Sequence, residues 1–340
     1  MPGAAALTWF GLRGRRVSLL TRSKLSETAG RRQTFAAAMA QFEEQFTAAR
    51  VVTEATRPLN LYYGLAQAGM AIAAAHADDP WRFSRHGLRL TNREGELADM
   101  TVGPEGDGAF QKVAAATGSP LITSPVSLGA LWASLPDLLD VGQLPGSTSP
   151  VPIPLFADES PARQPRASLY LPDDMLAGHS SRLNRFGEIM TAYPNAQGYA
   201  IPAEPGSIQA PDKAGQRWQV DVRWPAPDAS KDMSADELRA FFDKLAPEYR
   251  YRSDRFLRPA IDADGNPPPS PLMTWWLLLY SFSILARYEP RRWMKLLDLD
   301  KTETAVLVQY LLAEALTVVP HLVLEALDGR PYLLAKPMAF

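Results

Sequence analysis

The run Leu272–Ala286, inside "PLMTWWLLLYSFSILARYEPRRW", constrains the fold more than any other stretch of this 340-residue chain. Only Thr274, Ser281 and Ser283 interrupt it. At about fifteen residues it is shorter than the roughly 18 to 20 that a bilayer requires. A helix that is hydrophobic all round must be covered by protein on every side, so this one is predicted to be central. Ser270 is suited to its N-cap and Pro271 to its first turn. Pro290 disfavours helical geometry at Glu289, so the helix is expected to stop there and a new one to begin at Pro290.

A second central helix is predicted for "PLNLYYGLAQAGMAIAAAHA", which starts at Pro58. Before it, Phe35, Met39, Phe42 and Phe46 recur at spacings of four, three and four, the stripe of an amphipathic helix. Between residues 88 and 233 the pattern changes. "ADMTV", "VPIPLF", "ASLYLP", "GYAIP" and "WQVDVRW" read as strands, and "SLGALWASLPDLL" and "AGHSSRLNRFGEIMTAY" as helices, with Pro- and Ser-rich loops between them. Helical periodicity then returns. Ser234 with Glu237, and Asp300 with Glu303, look like capping boxes, and Pro320 is expected to kink or end the last helix.

The expected fold class is therefore mainly α, of the α+β kind. A helical bundle comes from the N- and C-terminal thirds (1–87 and 234–340, the latter packing on the former), with a mixed α/β insert at 88–233.

Hydrophobic residues at 46% and charged residues at 21% exclude wholesale disorder. The formal net charge of −2 gives no global nucleic-acid signature. Residues 13–32 are locally basic, with seven Lys/Arg against the single acid Glu27. That composition suits a basic arm, an organelle transit peptide or the solvated start of the first helical region. The absence of cysteine excludes disulfides, thiolate zinc sites and Cys nucleophiles. Four widely separated histidines, His76, His86, His179 and His321, supply no paired metal-ligand spacing, so no metal and no cofactor are expected. Without a secretory h-region, a cytoplasmic location with no membrane segment is the default expectation.

Several constellations could carry chemistry. Asn60, Tyr63 and Gln67 put a polar stripe on an otherwise apolar helix, and buried amides and phenols need partners: neighbouring helices, water or a ligand. Arg57 begins that helix. In "LARYEPRRW", Arg287 lies in a last helical turn, where its charge meets the negative end of the helix dipole. Tyr288, Glu289 and Trp293 flank it at the bend. Two readings stay open there: an Arg–aromatic–carboxylate lock between helices, or an anion or nucleotide site. "YRYRSDRFLRPAID" interleaves Tyr249, Arg250, Tyr251, Arg252, Arg255, Phe256 and Arg258, a composition that suits single-stranded nucleic acid, although Glu248 and Asp254 offset part of the charge. His86 stands among Arg82, Arg85 and Arg89, cations expected to lower its pKa and keep it neutral near pH 7. "GPEGDG" at 103–108 lacks the Lys-Ser/Thr of a phosphate loop and reads as a turn.

Four motifs, "RPLNLYYGLAQAGMAI" at 57–72, "RHGL" at 85–88, "RFLRPAI" at 255–261 and "MTWWLLLYSFSILARYEPRRW" at 273–293, resemble in order the YaaC-like family of bacterial proteins. The resemblance implies a mainly helical architecture and little chemistry. The paired tyrosines followed by a His-Gly-Leu turn are also similar to the helical hairpins of HEPN-type domains, many of them RNases or inactive relatives in defence systems. Those nucleases carry Arg-x(4–6)-His. Here Arg82 stands one residue too close to His86, which argues against that ribonuclease chemistry.

The leading expectation is a non-catalytic helical protein that binds RNA, DNA, a nucleotide or a partner protein, in bacterial stress or phage defence. The alternative is a nuclease or other phosphoryl-processing enzyme, with His86 as acid/base, Arg258 and Arg287 stabilising phosphate, and Glu289 in the same cleft. A structural subunit of a complex or an oligomer would need only the apolar surfaces.

Overall fold

The computed structural model describes residues 4–21, 23–203, 206–211, 217–226, 228, 230–249 and 254–329. Along residues 1–149 the chain forms α1 (Ala4–Ser18), α2 (Ala29–Val51), α3 (Arg57–His76), β1 (Leu88–Thr91), β2 (Thr101–Pro104), α4 (Ala109–Thr117), β3 (Val126–Ser127) and α5 (Leu128–Ala133). Residues 150–267 form β4 (Ile153–Asp158), β5 (Arg166–Leu171), α6 (Asp173–Leu176), α7 (Arg182–Met190), β6 (Ile208–Gln209), β7 (Trp218–Arg223), α8 (Ala235–Leu245), β8 (Glu248–Tyr249) and β9 (Asp254–Leu257). Then follow α9 (Pro271–Tyr288), α10 (Pro290–Leu296) and α11 (Thr304–Asp328). About 53% of the chain is helix and 12% strand, a mainly α protein of the α+β class.

Two compact units result: 1–149 with 268–340, and 150–267. The insert therefore begins at 150 rather than 88 and ends at 267 rather than 233. The short strands β1, β2 and β3 form an antiparallel sheet of their own inside the helical unit. At the other boundary, α8 and β9 belong with the large sheet. A local change of periodicity marks where strands begin; it does not say which core they join.

In the helical unit, α3 is the axis, packed by α2, α4, α9 and α11. Its small residues are what let neighbours approach. A Cβ on Gly64 would lie 2.7 Å from the Phe46 ring, and one on Gly69 would lie 2.4 Å from the Trp276 ring. The end of α3 is closed by Arg31 from the first turn of α2. This side chain is 1% exposed and donates to Ala74 O (3.0 Å) and Ala77 O (3.1 Å), carbonyls that the helix itself leaves unpaired. The run Leu272–Leu285 of α9 is buried throughout, as a helix apolar on all sides requires. Ser270 stands at its N-cap position, but its hydroxyl makes no capping bond.

Pro320 does not end α11, which continues to Asp328 and is capped by Gly329 at φ 61°. Asp300 and Glu303 form no capping box: Glu303 occupies the N-cap position without a side-chain bond. Uninterrupted, α11 is 25 residues long and apolar enough, by length and composition, to cross a membrane; 56% of its most apolar window is buried inside the protein.

The second unit is built on a six-stranded antiparallel sheet, order β6-β7-β5-β4-β9-β8. Alternation puts Trp218, Val220 and Val222 of β7 into its core, with Phe186 of α7 and Phe242 of α8. The capping box at Ser234 and Glu237 does form, with Ser234 N donating to the Glu237 carboxylate at 2.8 Å. "GYAIP" forms no strand and makes a single bridge among the described residues, Ala200 with Arg223.

Candidate functional site

The polar groups that converge do so in the helical unit, where α3, the turn before β1 and the C-terminal half of α9 meet. Trp276 and Tyr280 stand one turn apart on α9. Both rings lie edge-on to Tyr62 of α3, with centroids 6.4 and 5.5 Å away. His86 closes the group, 5.6 Å from the Tyr62 ring and 5.8 Å from that of Tyr280. The Tyr280 hydroxyl donates to Leu88 O at 2.7 Å, fixing the start of β1 against α9.

The turn that carries His86 is held by its backbone. Ala109 N donates to Arg85 O (2.9 Å) and Phe110 N to His86 O (3.2 Å). Gly87 O accepts from Glu105 N (2.9 Å) and from the Gln111 side-chain amide (2.7 Å). The first turn of α4 thus uses donors that a helix start leaves free to fasten the histidine turn. Gly87 has φ 75°, and a Cβ on Gly108 would lie 2.4 Å from Gly87 N, so glycine is required at both. The "GPEGDG" stretch is the end of β2 followed by a bend, and its last glycine packs against the turn that carries His86.

Hydrogen bonding then sets the state of the imidazole. Tyr62 Oη lies 2.8 Å from His86 Nδ1. Burial, reinforced by the nearby Tyr280 and Tyr63, pushes the Tyr62 pKa up, so its hydroxyl keeps its proton. Among the described residues His86 Nδ1 is the acceptor in reach, and a buried hydroxyl left without one is costly. Tyr62 is therefore assigned as donor, which places the proton of the neutral ring on Nε2. Among the described residues Nε2 has no hydrogen-bond partner. The Trp276 indole N–H is sealed and unpartnered; it opposes the rise in the Tyr62 pKa without reaching hydrogen-bond geometry. The His86 pKa is lowered by burial first and by the Arg287 charge second. Neutral His86 was expected, but the cation acting on it comes from α9, not from its sequence neighbours Arg82, Arg85 and Arg89.

Arg287 and Tyr288 are both exposed. The Arg287 guanidinium stacks 4.4 Å from the centre of the Tyr288 ring, lies 6.0 Å from that of Tyr63, and donates to the Tyr63 hydroxyl. Among the described residues no carboxylate pairs with it. Glu289, one helical corner away, is engaged instead by Arg93 at 3.7 Å. Arg292 donates to Gly95 O, a second tie between α10 and the segment after β1.

Of the residues singled out by sequence, the structure brings Tyr63, His86, Arg287 and Tyr288 together. Others hold the fold. Trp293 is 1% exposed, donates to Ala55 O at 3.0 Å and packs on Phe282, so it leaves the candidate site. Arg57 closes the end of α2 through Ala49 O (3.0 Å) and Val52 O (2.9 Å) and pairs with Glu54. Asn60 donates to Gln45 at 3.0 Å, and Gln67 is half-buried farther along α3. Arg255 is 7% exposed and holds Asp243 (2.7 Å) and Glu159 (3.2 Å), which removes it from the phosphate-binding set. Arg255 and the half-buried Arg258 belong to the 150–267 unit, whereas His86, Arg287 and Glu289 belong to the helical one. Arg250, Tyr251 and Arg252 lie outside the described residues.

Sequence reasoning passed over Trp276, Tyr280, Arg93 and Gln111, and took Tyr62 only as one of a tyrosine pair. The tyrosines and Trp276 were hidden inside apolar runs, where an aromatic reads as core. Their one signal was the one-turn spacing of Trp276 and Tyr280. No group of three or more His, Asp or Glu among the described residues could hold a metal. A groove of about 560 Å³ between α1 and α2, lined by Arg16, Glu43, Glu44 and Val51, contains none of these side chains. The candidate site is thus a surface with an aromatic floor.

The family model of the YaaC-like protein matches residues 19–327. No curated protein and no solved structure matches the chain. The chain belongs to the YaaC-like family.

Proposed function

We propose that this YaaC-like protein is a non-catalytic binding protein that recognises a nucleotide unit at the surface formed by Tyr63, His86, Arg287 and Tyr288. The observation that carries the reading is the state of Arg287: an exposed guanidinium stacked on a tyrosine, with no carboxylate partner among the described residues, near a neutral imidazole whose Nδ1 is taken up by Tyr62. A phosphate needs a cation and a hydrogen-bond donor, which Arg287 and His86 supply. A base needs an aromatic face, and Tyr288 and Tyr63 are exposed by 61% and 38%.

The same geometry favours binding over catalysis. With Nδ1 occupied by Tyr62, the other nitrogen of neutral His86 is a donor and cannot accept a proton from a nucleophile. Glu289 is engaged by Arg93 and is not poised as an alternative base.

The test is an NMR titration of the full chain with deoxythymidine monophosphate, alongside Arg287→Ala. Shifts confined to the Tyr63, His86 and Tyr288 rings, with affinity at least about tenfold weaker in the variant, are expected from losing a charge-assisted bond of about 1.5–3 kcal/mol. Unchanged affinity in the variant overturns the assignment of the site. Conversion of the nucleotide during the titration overturns its non-catalytic character.

A further inference from the structure

We infer that the ligand of this surface is a single strand of nucleic acid, not a free nucleotide, with its backbone continuing from Arg287 and His86 over Arg85 and Arg82. The inference rests on the nucleotide reading above and extends it to the class of ligand.

One phosphate is satisfied by Arg287 and the His86 Nε2–H. Further cations then remain on the segment that leads into His86. Arg85 and Arg82 are exposed, and neither forms an ion pair among the described residues. Carboxylates that flank this stretch, in the chain or across the turn, are engaged elsewhere: Asp78 by Lys24, Asp79 by Arg31 (3.2 Å), Glu105 by Arg89 (3.9 Å) and Asp107 by Lys112 (3.1 Å). Arg82 and Arg85 therefore leave uncompensated positive charge on the segment that carries the imidazole.

Position is fixed as well as charge. Arg85 O and His86 O are both bonded to the first turn of α4, so the Arg85 backbone cannot drift from that of His86. Arg82 is braced by its guanidinium, which lies 5.1 Å over the Trp81 ring. It is four residues from His86, within about 14 Å along even a fully extended chain. Aromatic rings at one end and a succession of free guanidiniums at the other suit a polymer of alternating bases and phosphates. The protein's net charge of −2 leaves this local excess as the source of attraction.

The closing experiment measures the salt dependence of affinity for oligo(dT) of about a dozen nucleotides, a footprint usual for single-strand sites. With Arg287, Arg85 and Arg82 each displacing a counterion, the log–log slope should be about −2, since each contributes about 0.7. Arg85→Ala should lower its magnitude by about 0.7. Arg163→Ala, which removes an exposed cation from the other unit, should leave it unchanged. Oligo(dT) should also bind much more tightly than deoxythymidine monophosphate, and oligoglutamate of equal charge should bind much more weakly than oligo(dT). If the mononucleotide binds at Arg287 but the oligonucleotide gains nothing, or Arg85→Ala leaves the slope intact, the strand inference falls and the nucleotide reading stands. If oligoglutamate binds as well as oligo(dT), only charge is read and the strand inference falls. If neither nucleotide nor strand binds, both fall.

Discussion

Gly69→Ala tests the packing on which the candidate site stands. The added Cβ would lie 2.4 Å from Cη2 and 2.6 Å from Cζ3 of Trp276, and 2.9 Å from Val113 Cγ2. Trp276 and Val113 are both fully buried, so neither can swing aside into solvent. Overpacking of this kind costs about 1–3 kcal/mol, and the depth of the overlap places it near the upper end. Replacing a mid-helix glycine by alanine returns about 1 kcal/mol through helix propensity. The expected net destabilisation is about 2 kcal/mol. Urea unfolding followed by tryptophan fluorescence should show a lower midpoint with unchanged slope. The atoms struck belong to the six-membered part of the indole, so Trp276→Phe in the Gly69→Ala background should recover part of the loss. A double-mutant cycle should give a coupling of about 1 kcal/mol or more. Because Trp276 lies edge-on to Tyr62, its displacement should also perturb the His86 ring resonances. An unchanged or raised midpoint, or strict additivity in the cycle, would refute the argument.

Gly108→Ala should place a Cβ 2.4 Å from Gly87 N and 2.7 Å from Arg85 O, backbone atoms with nowhere to go. The expected result is a loss of about 1–3 kcal/mol in unfolding experiments, together with a rise of the His86 pKa towards its ordinary value by NMR titration. A His86 titration identical to wild type would show that α4 does not position it. His76 and His86 both have depressed pKa values in the folded protein, chiefly through burial, so the unfolded chain binds their protons more readily. Stability from these groups is complete above the ordinary histidine value of about 6.5 and is lost as pH falls below it. Melting temperature should therefore decline from about pH 7.5 to about pH 5.5, above the range where carboxylates titrate, and less steeply in His86→Gln. A flat or rising profile would contradict the burial assigned to both rings.

The chain's apolar periodicity alone predicted α2, α3 and α9 and the break between α9 and α10. Each rests on local physics: a stripe of phenylalanines, prolines at helix starts, and an all-apolar run that water will not tolerate. It also marked Tyr63, His86, Arg287 and Tyr288, since a charge or a hydroxyl beside an apolar run is visible without coordinates. Tertiary packing decided what each of them does. Arg255 carries the same guanidinium as Arg287, and Trp293 is an aromatic beside a helix end as Tyr288 is, yet the former two are buried among partners and the latter two are exposed. Pro320 sits buried inside α11, although local physics expects a proline to kink or end a helix. The proton on His86 is set by Tyr62, 24 residues away, and its charge environment by Arg287, about two hundred residues away. Side-chain chemistry belongs to the residue, but burial and partnership depend on distances that chain order does not contain.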